Sequence, residues 1–191
     1  MNYRYVLASG SPRRRELLAG LGLQFEIRLL PDIDESYPEG LSGDAIACAI
    51  SRKKAAAYRP TLAPDELIIT ADTIVYLDGE VLGKPHDEAD ACDMLHKLSG
   101  RTHQVITGVT LLTQELEHTF SCVSQVRFAN LSDEEIDHYV SNYRPLDKAG
   151  AYGIQEWIGY IGVESIEGSY FNVMGLPVQR LYQTLKQFNL I

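Results

Sequence analysis

The chain has 191 residues, 45% hydrophobic and 23% charged, which is enough to bury a full core within one domain spanning residues 1–191. Its formal net charge of -9 excludes broad binding to nucleic acid or to an acidic membrane, since both need a basic face, so an anionic ligand has to be held by a local cluster. Cys48, Cys92 and Cys122 are odd in number and lack metal-type spacing, there is no signal-peptide layout, and no apolar run approaches the ~20 residues of a membrane span; the expectation is a soluble, cytoplasmic protein.

Near the amino terminus, Tyr5-Val6-Leu7-Ala8 predicts a short buried strand, and Ser9-Gly10-Ser11 is a small-residue turn that lets a ligand approach the backbone. Ser11 is a good N-cap, Pro12 suits the first helical position, and Leu17, Leu18 and Leu21 supply a buried helix face. Arg13, Arg14 and Arg15 then fall in the first turn, where each cation opposes the helix dipole by roughly 0.3–1 kcal/mol. A phosphate at that position satisfies backbone donors, dipole and side chains together. The other reading is that the arginines fan into solvent or pair with acids. None of the standard glycine fingerprints is present: Gly79 to Pro85 has the wrong spacing and carries Pro85 where a metal-binding hydroxyl is needed.

Further along, Phe25, Ile27 and Leu29 alternate like a half-buried strand, Asp32-Ile33-Asp34-Glu35 forms an acidic loop, and Asp44 opens a helix ending near Tyr58. Leu67 to Asp72 reads as a core strand that ends in a carboxylate, and Val75 to Leu77, the Asp78-Gly79 turn and Val81-Leu82 read as a hairpin. A helix is expected from Asp87 to Leu98, paired strands over Val105–Leu112 and Phe120–Phe128, a further helix from Ser132-Asp133, and a closing amphipathic helix over Leu176–Phe188. Early alternation of helices and strands with a central meander predicts an α/β class, a mixed twisted sheet flanked by helices.

Asp72, at the end of an apolar strand and followed by Thr73, is the best single candidate for catalysis, because open sheets place functional side chains there; an Asp that merely starts a turn is the plainer reading. Lys84 is presented from the constrained loop Gly83-Lys84-Pro85, and Lys54 lies near a helix end. Asp32, Asp34 and Glu35 are candidates to bind a divalent ion together with Asp72, since magnesium prefers a few carboxylates plus substrate oxygens. The five histidines form no helical His-x-x-x-His pair and no Ser-centred nucleophile elbow occurs, which disfavours zinc hydrolysis and acyl-enzyme chemistry. Tyr152, Trp157 and Tyr160 are candidate base-stacking surfaces, with Gln155 an amide able to read a base edge.

Taken together, Leu7-Ala8-Ser9-Gly10-Ser11-Pro12-Arg13-Arg14, Ala71-Asp72-Thr73, Gly83-Lys84-Pro85, Leu98-Ser99-Gly100-Arg101-Thr102-His103, Asp147 to Gln155, and Gly168 to Val173 with Gly175-Leu176-Pro177 resemble the Maf family of nucleoside triphosphate pyrophosphatases. The resemblance implies two lobes around a central cleft. It also implies hydrolysis of a nucleoside triphosphate between the α and β phosphates, with a divalent metal (Mg2+ or Mn2+) as cofactor. By that likeness Asp72 is the catalytic acceptor; Arg13, Lys54 and Lys84 are phosphate contacts, and Ser9, Ser11 and Arg14 belong to the same substrate cradle. Glu35 matches an acid near the metal, beside Asp72. Arg13, Thr73 and Gln155 match the subgroup acting on dTTP and UTP, sometimes with modified pyrimidine nucleotides, rather than the 7-methyl-GTP subgroup. Gln155 is followed by Glu156-Trp157, where many members carry smaller residues, a departure that bears on the base pocket. A homodimer is the family expectation, with Tyr139, Tyr143 and Trp157 as candidate interface residues. The alternative readings are a nucleotide-binding regulator of cell division or septum formation, and a pyrophosphatase of the 7-methyl-GTP subgroup.

Overall fold

The computed structural model describes residues 3–191. Strand β1 (Arg4–Leu7) carries Val6 and Leu7 fully buried at successive positions, the mark of a strand covered on both faces, and it pairs in parallel with β2 (Phe25–Ile27) and β3 (Glu66–Leu77). Helices α1 (Pro12–Ala19) and α2 (Asp44–Ala56) lie in the two connections that parallel pairing requires. Strand β4 (Glu80–Leu82) turns back on β3 through Asp78 and Gly79, whose φ angles of 49° and 90° suit a tight hairpin. Strands β5 (Thr102–Leu112) and β6 (Glu117–Phe128) follow, and β7 (Val163–Glu167) runs antiparallel to β6. The mixed seven-stranded sheet has the order β2-β1-β3-β5-β6-β7, with β4 on β3.

The helix signals hold at the atomic level. Ser11 Oγ accepts from the Arg14 backbone N–H at 3.5 Å with Pro12 opening α1, and Asp87 caps α3 (Glu88–Leu98). Ser132 and Glu135 form a reciprocal capping box on α4 (Asp133–Tyr143). The glycine-rich stretch from Gly150 to Gly175 contains short helices α5 (Trp157–Gly162) and α6 (Tyr170–Met174), and α7 (Val178–Gln187) closes the chain behind Pro177.

The chain divides into two compact units. The first comprises the residues up to Asp72, Thr107–Cys122 and Gly175–Ile191. Its core includes Val6, Ala55, Tyr58, Ile68 and Leu112. Here α2 lies directly on the sheet: a Cβ at Gly108 of β5 would sit 2.4 Å from the Ala47 carbonyl, so only glycine permits the approach. Buried Ser51 shares a 2.9 Å hydrogen bond with Thr110, and the Thr70 hydroxyl donates to the Ser51 carbonyl at 2.7 Å. The second unit comprises Thr73–Ile106 and Val123–Met174, and its core gathers Leu82, Leu95, Leu98, Phe128, Tyr139, Tyr152 and Ile158.

Four sequence expectations need correction. Asp72 does not end a strand: β3 continues to Leu77, and Asp72 is tolerated in its buried interior because a lysine meets it. Strand β2 stops at Ile27, leaving Ile27 and Leu29 38% and 59% exposed. Tyr152 is no stacking surface; its ring is buried edge-on against His103 and Phe128, and its hydroxyl lies 2.7 Å from His103 Nε2. Tyr139, suggested for an interface, is fully buried in the core, whereas Tyr143 stacked on it is exposed.

Candidate active site

Lys54 reaches Asp72 for reasons of periodicity. Ala47, Ser51 and Lys54 fall at i, i+4 and i+7 along α2, the face pressed on the sheet, while Thr70 and Asp72 are two apart on β3 and share one sheet face. The contact that seats Ser51 on Thr70 therefore carries Lys54 over Asp72, and its Nζ donates to Asp72 Oδ1 at 2.7 Å. The same ammonium lies 3.0 Å from Glu35 Oε1. The Lys54 and Asp72 side chains are only 14% and 12% exposed, so this pair is weakly screened, while Glu35 at 51% faces water.

The amino-terminal turn enters the same neighbourhood. Ser9 is buried, and its Oγ accepts from the Ser11 backbone N–H at 3.2 Å and from Arg14 Nη1 at 3.4 Å. Arg14 Nε donates to the Gly175 carbonyl at 2.8 Å, which clamps the turn to the start of the last segment. Burial pulls the Arg14 guanidinium below its usual pKa; Asp72 raises it, Arg13 lowers it, and Glu35 raises it. Arg13, Arg14, Glu35, Lys54 and Asp72 thus act on one another electrostatically within the first unit. The acids Asp32 and Asp34 do not join them: Asp34 is engaged by Lys53 and Ser36, which hold its carboxyl down at about 2, and Asp32 stands exposed with φ of 52°.

The second unit carries the remaining candidates. Thr73 follows Asp72 directly in β3 and is half-buried. The loop bearing exposed Lys84 is tied down where Gly150 N–H donates to the Gly83 carbonyl at 2.9 Å. Gly150 has φ of 67°, and a Cβ there would lie 2.7 Å from Val75, so the close approach requires glycine. Gln155 is half-buried, and its Oε1 is shielded from water without a hydrogen-bond partner.

Sequence reasoning missed the hydrogen-bonded cluster of Lys148, Tyr139 and Glu156 beside Gln155. Lys148 Nζ, nearly buried, lies 2.7 Å from Asp147 and 3.1 Å from Glu156. Tyr139 donates its hydroxyl to Glu156 Oε2 and accepts from the Gly153 N–H at 3.0 Å. The only available signals were Lys148 inside the glycine-rich motif and the unusual acid after Gln155; no periodicity links Tyr139 to them.

Among the described residues, no group of three or more His, Cys, Asp or Glu side chains is placed to hold a metal ion. Asp72 and Glu35, two carboxylates within 3.0 Å of one ammonium, nevertheless fit a hard divalent ion that takes the rest of its shell from substrate oxygens.

The arrangement is a mixed α/β sheet whose basic turn, lysine and buried carboxylate are suited to an oligophosphate. The same fold occurs in the HAM1 protein from Coxiella burnetii, at a TM-score of 0.51 and 17% identity over 97% of this chain and 99% of that one. The chain belongs to the Maf-like protein family, matched over residues 4–188. It is 64% identical to a dTTP/UTP pyrophosphatase of Phocaeicola vulgatus over 185 residues, 97% of this chain and 96% of the relative. It is also 59% identical to a dTTP/UTP pyrophosphatase of Bacteroides fragilis, with the same shares covered.

Proposed function

We propose that the chain hydrolyses dTTP and UTP, together with modified pyrimidine nucleotides, to the nucleoside monophosphate and pyrophosphate. The observation that carries this reading is the Lys54 ammonium held between Asp72 and Glu35 beside the arginine turn, in a chain whose relatives bear that activity in their names. Asp72 accepts the proton of the attacking water. Lys54, Lys84 and Arg13 meet the charge of the phosphate chain, and Ser9, Ser11 and Arg14 shape the turn that receives it. No covalent nucleophile is required, because an in-line water and charge neutralisation suffice for a phosphoanhydride. Asp72 and Glu35 would hold Mg2+ or Mn2+, which supplies neutralisation of phosphate charge. Gln155, with Thr73 and Arg13, sets the preference for pyrimidines: its unpartnered amide oxygen is an acceptor for the N3–H of thymine or uracil, which cytosine lacks.

Supporting a cytoplasmic location, the three cysteines are free thiols, and among the described residues no helix is long and apolar enough to cross a membrane. The working assembly is a homodimer, for which exposed Tyr143 remains a candidate contact. A panel of triphosphates at equal concentration with Mg2+, read by pyrophosphate release, tests the function. Turnover of dTTP and UTP above the others is expected. Preference for a purine or 7-methylguanine nucleotide overturns the pyrimidine assignment, and stoichiometric binding without product favours a regulator.

A further inference from the structure

The turn that carries Gln155 is held by an unusual amount of polar structure. Gly153 N–H donates to the Tyr139 hydroxyl at 3.0 Å, that hydroxyl donates to Glu156 Oε2, and the Glu156 N–H returns to the Gly153 carbonyl at 2.9 Å. The result is a closed ring of hydrogen bonds around residues 153–156. Lys148 grips the other carboxylate oxygen from 3.1 Å and is itself anchored by Asp147. Packing seals the ring: a Cβ on Gly153 would lie 2.9 Å from the Glu156 carboxyl carbon and 3.1 Å from the Lys148 stem. On the far side, a Cβ on Gly159 would fall 1.8 Å from the Ile154 carbonyl, so α5 is pressed against the turn's own backbone.

Ile154 and Ile158 are buried in the core on either side, and Gln155 is the one residue of the turn whose side-chain acceptor is shielded from water yet unsatisfied. An orphaned acceptor on a turn closed by its own hydrogen bonds is the signature of a group set in advance for a donor.

We propose that Glu156 is a positioning residue, acting with Tyr139 and Lys148, that fixes the Gln155 amide and thereby sharpens discrimination for bases bearing an imide N–H. The proposal rests on the reading of Gln155 as the base contact. Glu156 does not touch the nucleotide; it acts by locking the turn, so that rotamer freedom of the amide is lost on folding rather than on binding. The unusual acid after Gln155 thereby acquires a role: the position is filled by the carboxylate that closes the ring.

Steady-state kinetics with UTP and CTP on the full chain provide the test, for Glu156→Ala, Glu156→Gln, Tyr139→Phe and Gln155→Ala, each checked for folding by circular dichroism. Glu156→Ala and Tyr139→Phe are expected to raise KM for UTP about tenfold with kcat changed less than about threefold, and to narrow the UTP-over-CTP ratio of kcat/KM by about tenfold. Glu156→Gln, which keeps an acceptor for Tyr139, is expected to recover most of the ratio. Tyr139→Phe preserves the core volume and decides the matter if Glu156→Ala does not fold. If Gln155→Ala relaxes the ratio while the folded Glu156 and Tyr139 variants keep the wild-type ratio, the positioning role is wrong and the base reading stands. If Gln155→Ala leaves the ratio unchanged, the base reading fails and the proposal falls with it.

Discussion

Replacing Asp72 by Asn separates the chemical role of the carboxylate from its structural one. The substitution keeps shape and an acceptor for Lys54, but it removes a charge 2.7 Å from the ammonium in a pair whose side chains are 12% and 14% exposed. Removing one partner of a fully buried ion pair costs about 3–5 kcal/mol. Here the amide oxygen can still accept and Glu35 at 3.0 Å still balances Lys54, so a loss of about 1–2 kcal/mol follows. For a chain of this length that lowers Tm by roughly 2–8 °C, leaving a folded protein in which kinetics are interpretable. Loss of a positioned general base lowers turnover at least ~10²-fold. In metal-free buffer, affinity for dTTP should hold or rise slightly, because one negative charge beside the phosphate chain is gone. Pyrophosphate release and calorimetric titration of the variant with dTTP measure the two quantities. A variant that binds dTTP and turns it over within threefold of the parent chain refutes the assignment of Asp72.

Lys54→Met removes the cation that faces both carboxylates, and at an effective dielectric near 20 one such pair at 4 Å is worth about 4 kcal/mol, so kcat/KM for dTTP is expected to fall at least ~10²-fold; a loss under fivefold in steady-state assays counts against its role. Gly108→Ala forces a methyl onto the backbone of α2 at Ala47 and should destabilise by more than ~2 kcal/mol while displacing Lys54, which denaturant unfolding and activity measure together. His103, buried against Phe128 and Tyr152, has its pKa lowered to about 4 by burial. The unfolded chain therefore takes up a proton that the folded chain refuses as pH falls from about 6.5 to about 4, and stability drops across that window by about 3 kcal/mol in all. Above pH 6.5 this group contributes no pH dependence. In His103→Gln the fall between pH 7 and pH 4.5 should be smaller by about 2 kcal/mol in urea titrations, and equal falls for the two proteins would contradict it.

Local signals in the sequence were read at their face value by the fold. Ser11-Pro12, Asp78-Gly79 and the helix start at Ser132-Asp133 each depend on neighbours within a few residues, and each forms as expected. What lay beyond the sequence was tertiary. A polar interruption at Ala71-Asp72-Thr73 looks like a strand end, since nothing in the local pattern says that Lys54 waits to pair with the carboxylate and let β3 continue. Tyr152 and Tyr139 have the composition of ligand or interface aromatics, and only long-range packing with His103, Phe128 and Glu156 makes them core. Of the candidate residues, Asp72, Lys54, Glu35, Arg13 and Arg14 come together in the first unit, whereas Asp34 is diverted to Lys53 by a hydrogen-bonded turn at Ser36. The ring around Gln155 was hidden because Tyr139 reaches it from α4 without any periodic cue.

Phosphorus NMR of the chain incubated with dTTP and Mg2+ follows bond cleavage directly. Hydrolysis between the α and β phosphates predicts growth of dTMP and pyrophosphate resonances, the latter with twice the intensity because it carries both remaining phosphorus atoms, slowed at least ~10²-fold in Asp72→Asn. Appearance of dTDP with inorganic phosphate, or an unchanged dTTP spectrum at high protein concentration, contradicts the account.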